Sequence, residues 1–456
     1  MACNARGSTD GTRTDLERLK EEAKPEARSD VVGPTKPRFL RFLGPGLITG
    51  ASDDDPSGIA TYSQAGAQFG FQLAWTLVLT YPLMVVIQAI SARIGRTTGR
   101  GIAGNLRRHY PNWLLQGVVA LLFAANTLNI GADLGAMAEA TRLLLPAAPA
   151  WSYIIAFAVI CTSAQILFKH TRYVAILKWL TLSLFAYFAV LCVVHVPWSQ
   201  FLRGLLVPRL RPDHAFWLTV VAILGTTISP YLFFWQASQE VEDTKETPER
   251  VPLIENPGQG PDALARIQLD TLVGMGFSNL VALAILMTAA VTLFTAGVHD
   301  VTSAAQAAAA LKPIAGKFAF AVFALGIVGT GLLSVPVLAG SAAYALGEAR
   351  GWPVGLGRRP LQAKAFYGAI VVATLLGALA NVLSLNPVTA LVWAAVINGI
   401  VAVPVMGLLM LMASSPRVMG QFQISMLWKV IGWLATLLMA AASVAFIVAT
   451  AFGDAQ

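Results

Sequence analysis

Apolar residues recur along the chain in runs of about 20 or more, the length an α-helix needs to cross a bilayer. Short polar or charged segments separate these runs. The pattern predicts an all-α integral membrane protein with about eleven spans. We place the spans at residues 42–67, 70–93, 112–141, 150–168, 173–196, 215–238, 270–296, 318–346, 365–384, 387–413 and 425–452.

The charged residues predict domain organisation and orientation. Residues 1–38 are polar and charged, which is typical of a disordered tail, and residues 39–456 form the transmembrane domain. With this tail in the cytoplasm, 26 of the 32 Lys and Arg lie at the inner side and six at the outer side. Cytoplasmic loops carry such an excess, so the N-terminus is predicted inside and, for an odd number of spans, the C-terminus outside.

The composition excludes several classes of function. The chain is 56% hydrophobic and 12% charged, against roughly 45–50% and about 25% in soluble domains. Its net charge of +8 is accounted for by membrane orientation and lipid contact, without nucleic acid. The three cysteines have no disulfide or zinc spacing. No phosphate loop, HExxH motif or nucleophile–histidine spacing is present, so the chain is not predicted to be an enzyme and no permanent cofactor is expected.

The first span contains three consecutive acids, Asp53, Asp54 and Asp55, directly before Pro56. Proline removes a backbone donor and disfavours helical geometry at the preceding residue. Acids in a membrane span must also face protein or water. We therefore predict an unwound segment lining a cavity, whose carboxylates and freed carbonyls suit a hard cation. The alternative is a break near the membrane surface with hydrated acids, and three adjacent acids cannot all point the same way.

The sixth span has a similar interruption, with Gly225, Thr226, Thr227 and Ser229 before Pro230. A single proline kink is usually structural. Two polar breaks five spans apart predict a 5+5 inverted repeat, in which spans one to five and six to ten are related by a two-fold axis and the substrate lies between broken helices 1 and 6.

The third span carries Asn126, Asn129 and Asp133 at intervals of three and four, which places them on one face. We expect this face to point inward as a proton or polar pathway. Two roles for Asp133 remain open, a proton relay and an ion pair with a basic group such as Lys364. We interpret Asn279 and Asn398 as interhelical hydrogen-bonding residues rather than ligands.

The longest predicted inner loop spans residues 240–268 and is rich in Pro, Gly and acids. This composition predicts a mobile segment flanking a gate. Its acids Glu240, Glu242 and Asp243 are expected to be solvated, with a metal-attracting vestibule as the alternative.

The segment GPGLITGASDDDPSGIATYSQAG and the sequence that follows it through the second span resemble the first two helices of the Nramp divalent metal transporters, whose signature is Asp-Pro-Gly-Asn. The resemblance continues through GADLGAMAEA and LGTTISPYLFFW and covers about residues 40–410. It implies an eleven- or twelve-helix inverted-repeat fold shared with amino-acid/cation symporters. It also implies metal ligands from the signature Asp and Asn, and from a Met and a backbone carbonyl on helix six.

The chain departs from this ligand set. Asp55 is retained, but Gly58 stands at the Asn position, Ser229 at the Met position, Tyr231 at the position of a following His and Thr226 at the carbonyl position. The soft thioether is therefore lost, and the remaining oxygen donors suit Mg²⁺ and Mn²⁺. The smaller side chains are expected to leave room for a partly hydrated ion. In this the chain resembles the Nramp-related magnesium transporters.

Proton coupling is also affected, because the acid that the family has three residues after Asp133 is Ala136 here. We therefore expect alternating-access transport of Mg²⁺, with Mn²⁺ as a further substrate, that is not coupled to protons. The protein is expected to be a monomer in a bacterial inner membrane. The alternatives are a proton-coupled Mn²⁺/Fe²⁺ importer and an organic-solute symporter with Tyr231, Phe233 and Trp235 in an aromatic pocket.

Overall fold

The computed structural model describes residues 49–50, 52–167, 184–211, 213–247, 249–381 and 386–453, and these ranges are predominantly helical. The predicted tail 1–38 and the first half of the predicted fifth span lie outside the described residues. The helices are α1 (Pro56–Phe69), α2 (Ala74–Thr98), α3 (Ile102–His109), α4 (Asn112–Arg142), α5 (Ala150–Leu167), α6 (Phe185–Val193), α7 (Trp198–Leu206), α8 (His214–Thr227), α9 (Pro230–Glu246), α10 (Gly260–Ala289), α11 (Ala304–Ala309), α12 (Lys312–Ala315), α13 (Ala319–Arg350), α14 (Lys364–Ala380), α15 (Pro387–Ser414), α16 (Pro416–Met419) and α17 (Met426–Gly453).

The long helices follow the predicted spans closely. Within the described ranges, eight helices are long and apolar enough to cross a membrane, and the total of about eleven stays a prediction. The largest difference lies around the predicted inner loop. There α9 continues to Glu246 and α10 begins at Gly260, so the predicted loop 240–268 is largely helical.

The expectation that the acids in this segment are solvated is wrong. Glu240 is fully buried and accepts a 2.5 Å bond from Arg266. Asp243 pairs with Arg250 and lies 3.7 Å from Arg266. A buried carboxylate needs such a partner. Arg250 and Arg266 therefore neutralise the charges of these acids. This pairing also argues against a metal-attracting vestibule formed by Glu240 and Asp243.

The described residues between α9 and α10 are held in place by hydrogen bonds. The backbone N–H groups of Leu253 and Ile254 donate to the carbonyls of Arg96 and Thr97, at 3.3 and 3.2 Å. Arg96 is itself buried and donates to the side chain of Gln259 at 2.7 Å. The connection thus closes over the end of α2.

The packing of the long helices has the symmetry of an inverted repeat. Helix α1, which follows the first break, lies against α10. Helix α9, which follows the second break, lies against α2. Exchanging the two repeats converts one contact into the other. Helix α4 lies against α13, its counterpart in the second repeat, and also against α14 and α15. The two helix breaks consequently meet inside the bundle.

Candidate functional site

The first helix break is centred on Asp55. Helical backbone ends at Asp53, and α1 begins at Pro56. Asp55 is extended, and its Oδ1 accepts bonds from the Gly58 N–H at 2.7 Å and the Ser57 hydroxyl at 2.6 Å. It therefore caps α1, with proline at the first helical position where a missing N–H costs nothing.

The second break has the same design with a neutral cap residue. Helix α8 ends at Thr227, Ser229 is extended and α9 begins at Pro230. The Ser229 hydroxyl turns back to the end of α8, with the carbonyl oxygens of Gly225 and Thr226 at 2.7 and 3.0 Å. Carbonyls at a helix C-terminus carry partial negative charge, so this end favours a cation.

Two contacts join the breaks. The Tyr231 hydroxyl lies 3.2 Å from the Ser52 carbonyl and 3.4 Å from Asp55 Oδ2, and donates to one of them. A Cβ atom added to Gly58 would lie 3.1 Å from Thr226 Oγ1. The Thr226 hydroxyl therefore lies directly beside Gly58, on the side where a larger side chain would project.

The site is buried, and several of its polar side-chain atoms lack a well-formed hydrogen bond. Asp55, Thr226, Asn129 and Tyr231 are each at most 2% exposed. Asn129 lies beside Asp55. Within the described part of the chain, neither polar side-chain atom of Asn129 nor Thr226 Oγ1 makes a hydrogen bond of normal geometry, although Asn129 interacts with Asp55 and Thr226 with Tyr62. Buried polar groups without a partner are costly, and a polar ligand between these side chains would satisfy them.

The three acids of the first break do not converge on one centre. Asp53 and Asp54 face α10, where the Ser278 hydroxyl lies 2.6 Å from Asp53 Oδ2 and 3.2 Å from Asp54 Oδ1. Asp53 Oδ1 and Asp54 Oδ2 have no described partner. No group of three or more His, Cys, Asp and Glu among the described residues is arranged to hold a metal. A cation beside Asp55 would therefore depend on neutral oxygens as well.

The sequence pattern does not indicate Ser278, although it does indicate its neighbour Asn279. Ser278 is 1% exposed, whereas Asn279 is half-buried and its side-chain oxygen has no described partner. Asn398 is also buried, and neither of its polar side-chain atoms has a described partner. A hydroxyl in an apolar span carries little signal by itself, and only the fold shows that Ser278 faces two acids.

The polar face of α4 has two separate roles. Asn126, Asn129 and Asp133 are fully buried. The Asn126 side chain donates to the Leu338 carbonyl at 2.9 Å, which ties α4 to α13. Asn129 instead lies in the site. Two residues that share a face therefore have different surroundings.

Asp133 does not pair with Lys364. Its Oδ2 accepts a 2.7 Å bond from the Ser334 hydroxyl on α13, and Lys364 is exposed at the start of α14. The predicted ion pair is wrong because the lysine faces solvent at the end of the bundle. Asp133 lies near enough to Asp55 for their charges to interact.

The aromatic residues after the second break pack in the core. Phe233 and Trp235 are at most 1% exposed. The Trp235 ring lies 6.2 Å from that of Tyr344 and leaves no room for a Cβ atom at Gly340. Their spacing is that of helix packing.

Comparison with known proteins agrees with this architecture. The profile of the family described as natural resistance-associated macrophage protein-like, Nramp, matches residues 46–449. The divalent metal cation transporter MntH of Erwinia tasmaniensis is 29% identical over 315 residues, 66% of this chain and 71% of the relative. MntH of Yersinia enterocolitica is 28% identical over 310 residues, 65% and 70% of the two chains.

Solved structures share the fold. The manganese transporter of Eremococcus coleocola, in complex with an aromatic bis-isothiourea compound, has a TM-score of 0.71 at 16% identity, covering 91% of this chain and 88% of that one. MhsT in complex with L-phenylalanine has a TM-score of 0.56 at 12% identity, covering 89% and 97%. Because the family profile spans most of the sequence, this chain, an integral membrane protein, belongs to the Nramp family of transporters.

Proposed function

We propose that the protein transports divalent metal cations, with Mg²⁺ as its main substrate and Mn²⁺ as a further one. The observation that carries the proposal is the buried group of Asp55, Asn129 and Thr226, which has polar atoms without a well-formed hydrogen bond where the two helix breaks meet. The relatives described as divalent metal cation transporters support the substrate class. Asp55 supplies the charge, and the hydroxyl and amide oxygens complete the coordination.

The donor chemistry supports a hard ion. Carboxylate, amide and hydroxyl oxygens suit Mg²⁺ and Mn²⁺, and no sulfur is present at position 229. Mg²⁺ keeps several waters when bound and takes only one or two carboxylates from a protein. One carboxylate surrounded by neutral hydrogen-bonding groups fits this requirement. Asp53 and Asp54 add negative charge from the side that faces α10.

The membrane potential is a sufficient driving force. A divalent cation gains about 4.6 kcal/mol per 100 mV, twice the value for a single charge. Ala136 and Tyr231 occupy two positions where the family has proton-carrying side chains. We therefore propose facilitated transport by alternating access without proton coupling. The protein acts as a monomer in a bacterial inner membrane, with its N-terminus in the cytoplasm and its C-terminus outside.

Ion uptake into liposomes tests this proposal. The purified protein is reconstituted, Mg²⁺ or Mn²⁺ is added outside under an inward-driving potential, and internal metal and pH are followed together, with Asp55→Ala as the inactive reference. Mg²⁺ entry without acidification is expected. Mn²⁺ entry with acidification would instead support a proton-coupled importer. Flux that is equal in Asp55→Ala would refute the assignment of the site.

A further inference from the structure

Helix α7 has the properties of a helix that lies in the membrane interface. It has nine residues, too few to cross a bilayer. Trp198, Leu202 and Leu206 recur every four residues and are 59%, 48% and 71% exposed. Phe201, on another face, is buried with its ring 5.7 Å from that of Phe71. An amphipathic helix with one face packed on protein and an apolar face exposed is suited to the boundary of headgroups and acyl chains.

A cationic cavity lies beside this helix. Its volume is about 660 Å³, and its lining includes Arg203 and Arg209 together with the polar side chains of Gln72, Gln200 and His195. No acid is among the described residues that line the cavity. Within the described residues, neither arginine side chain has a hydrogen-bond or ion-pair partner. Free guanidinium groups without a neighbouring carboxylate favour an anionic ligand, above all a phosphate.

An apolar groove of about 290 Å³ adjoins the cavity. The two are divided by the segment 207–210, whose residues alternate. Val207 and Arg209 line the cavity, whereas Pro208 and Leu210 line the groove. The groove follows α8 between α2 and α17 as far as Ile228, the residue before Ser229. The 14 residues of α8 are about 21 Å long, enough to extend through about half of the hydrocarbon core.

We propose that the cavity and the groove together bind one anionic phospholipid. Its phosphate lies between Arg203 and Arg209, and one acyl chain occupies the groove along α8. Phosphate chemistry alone would also fit a free anion. The apolar groove begins at the same segment, 207–210, and lies next to an interfacial helix. We therefore infer that the ligand is a lipid and not a free anion.

This lipid would contact both parts of the transport machinery. Helix α7 lies so close to the turn between α1 and α2 that a Cβ atom at Gly204 would overlap the Phe71 backbone. At the other end, the groove ends beside the second break. A bound lipid would therefore stabilise the positions of α1 and α8 relative to α7. The inference does not depend on which ion is transported.

Lipid titration followed by native mass spectrometry tests the headgroup site. The full chain is purified in detergent and titrated with phosphatidylglycerol or with phosphatidylcholine. The double variant Arg203→Gln/Arg209→Gln is compared with Arg142→Gln/Lys317→Gln, which removes two exposed charges predicted to lie at the same side of the membrane. The first should bind phosphatidylglycerol about thirtyfold more weakly, from roughly fivefold per arginine, and the second should bind it like the unmodified chain. Equal binding by both double variants would overturn the proposal.

The groove is tested by Leu210→Asn, a change at a residue that is 65% exposed and outside the helices. This variant should bind phosphatidylglycerol more weakly while leaving any stabilisation by inorganic phosphate unchanged. Titration with inorganic phosphate separates the two sources of the ligand. If phosphate alone stabilises the protein as much as phosphatidylglycerol does, and Leu210→Asn has no effect on lipid binding, the site is a phosphate site and the lipid assignment is wrong.

Discussion

The two helix breaks have the same backbone design and opposite electrostatics. In each, an extended residue precedes a proline that opens the next helix, Asp55 before Pro56 and Ser229 before Pro230. The first break carries three carboxylates. The second contributes the Thr226 hydroxyl and the carbonyls that accept from Ser229.

This difference separates attraction from selection. A single carboxylate attracts every divalent cation, and its Coulomb term depends on charge and distance rather than on the identity of the metal. Discrimination among ions must then come from the neutral donors and from how much hydration they replace. We therefore assign affinity mainly to the first break and ion choice mainly to the second.

The largest expected effect is that of Asp55→Asn. Asparagine also caps helices well, so α1 should keep its start while the site loses its central charge. Losing one partner of a buried charge pair costs about 3–5 kcal/mol. Uptake of Mg²⁺ into liposomes at low ion concentration should therefore fall by about a hundredfold or more.

Asp213 provides the matched control, because its carboxylate caps α8 by accepting the Phe216 N–H at 2.8 Å. It is partly exposed and pairs with Arg211. Asp213→Asn makes the same chemical change at a cap outside the site, and uptake should be unchanged. If Asp213→Asn loses as much transport as Asp55→Asn, the loss does not come from the charge at the site.

The next largest effect is expected for Gly58→Ala, which acts where the breaks meet. The new methyl group would lie 3.1 Å from Thr226 Oγ1 and 3.3 Å from the Tyr62 ring, closer than comfortable packing allows. Overpacking of this kind costs about 1–3 kcal/mol, and displacing Thr226 should reduce uptake by about tenfold.

Gly117→Ala is the control for this substitution. Gly117 is exposed within α4, and a Cβ atom there meets nothing within 4 Å. Alanine should therefore stabilise the helix by roughly 0.5–1 kcal/mol, measured as a small rise in melting temperature with unchanged uptake. Normal uptake by Gly58→Ala would show that Thr226 is not part of the site.

How far the sequence predicts these features depends on how local their causes are. A proline after an acid or a serine acts on its own backbone, so both breaks could be predicted. The Gly58–Thr226 contact and the turn of Asp53 and Asp54 toward Ser278 involve residues far apart in sequence, and no short-range pattern contains them. The expectation that Glu240 is solvated was wrong for the same reason, because a solvated acid and an acid buried in an ion pair, here with Arg266, look alike in composition.

A smaller effect is expected for Asn129→Ala, which tests the neutral donor that lies beside Asp55. Its polar atoms make no hydrogen bond of normal geometry, so alanine should leave stability nearly unchanged. Losing one hydrogen-bonding ligand is worth about 1 kcal/mol, which corresponds to about fivefold weaker uptake at low Mg²⁺.

Asn126→Ala should have the opposite signature. It removes the 2.9 Å bond to the Leu338 carbonyl and should lower the melting temperature with little change in the apparent affinity for Mg²⁺. Measuring both quantities for both variants separates a ligand from a structural residue. If Asn126→Ala weakens Mg²⁺ uptake as strongly as Asn129→Ala, the division of the α4 face is wrong.

The smallest expected effect is that of Ser229→Met, about a two- to threefold rise in Cd²⁺ uptake relative to Mg²⁺ uptake. This variant tests the assignment of ion choice to the second break. Methionine removes the hydroxyl that donates to the end of α8 and introduces a thioether, which favours softer ions. Ser229→Leu adds similar volume without sulfur, so both variants should lose Mg²⁺ uptake through crowding. Only Ser229→Met should raise Cd²⁺ uptake relative to Mg²⁺, measured in competition. A ratio that is the same in the two variants would mean that position 229 does not contact the ion. Ion choice would then have to come from donors around Asp55, and the contrast between the breaks would be electrostatic only.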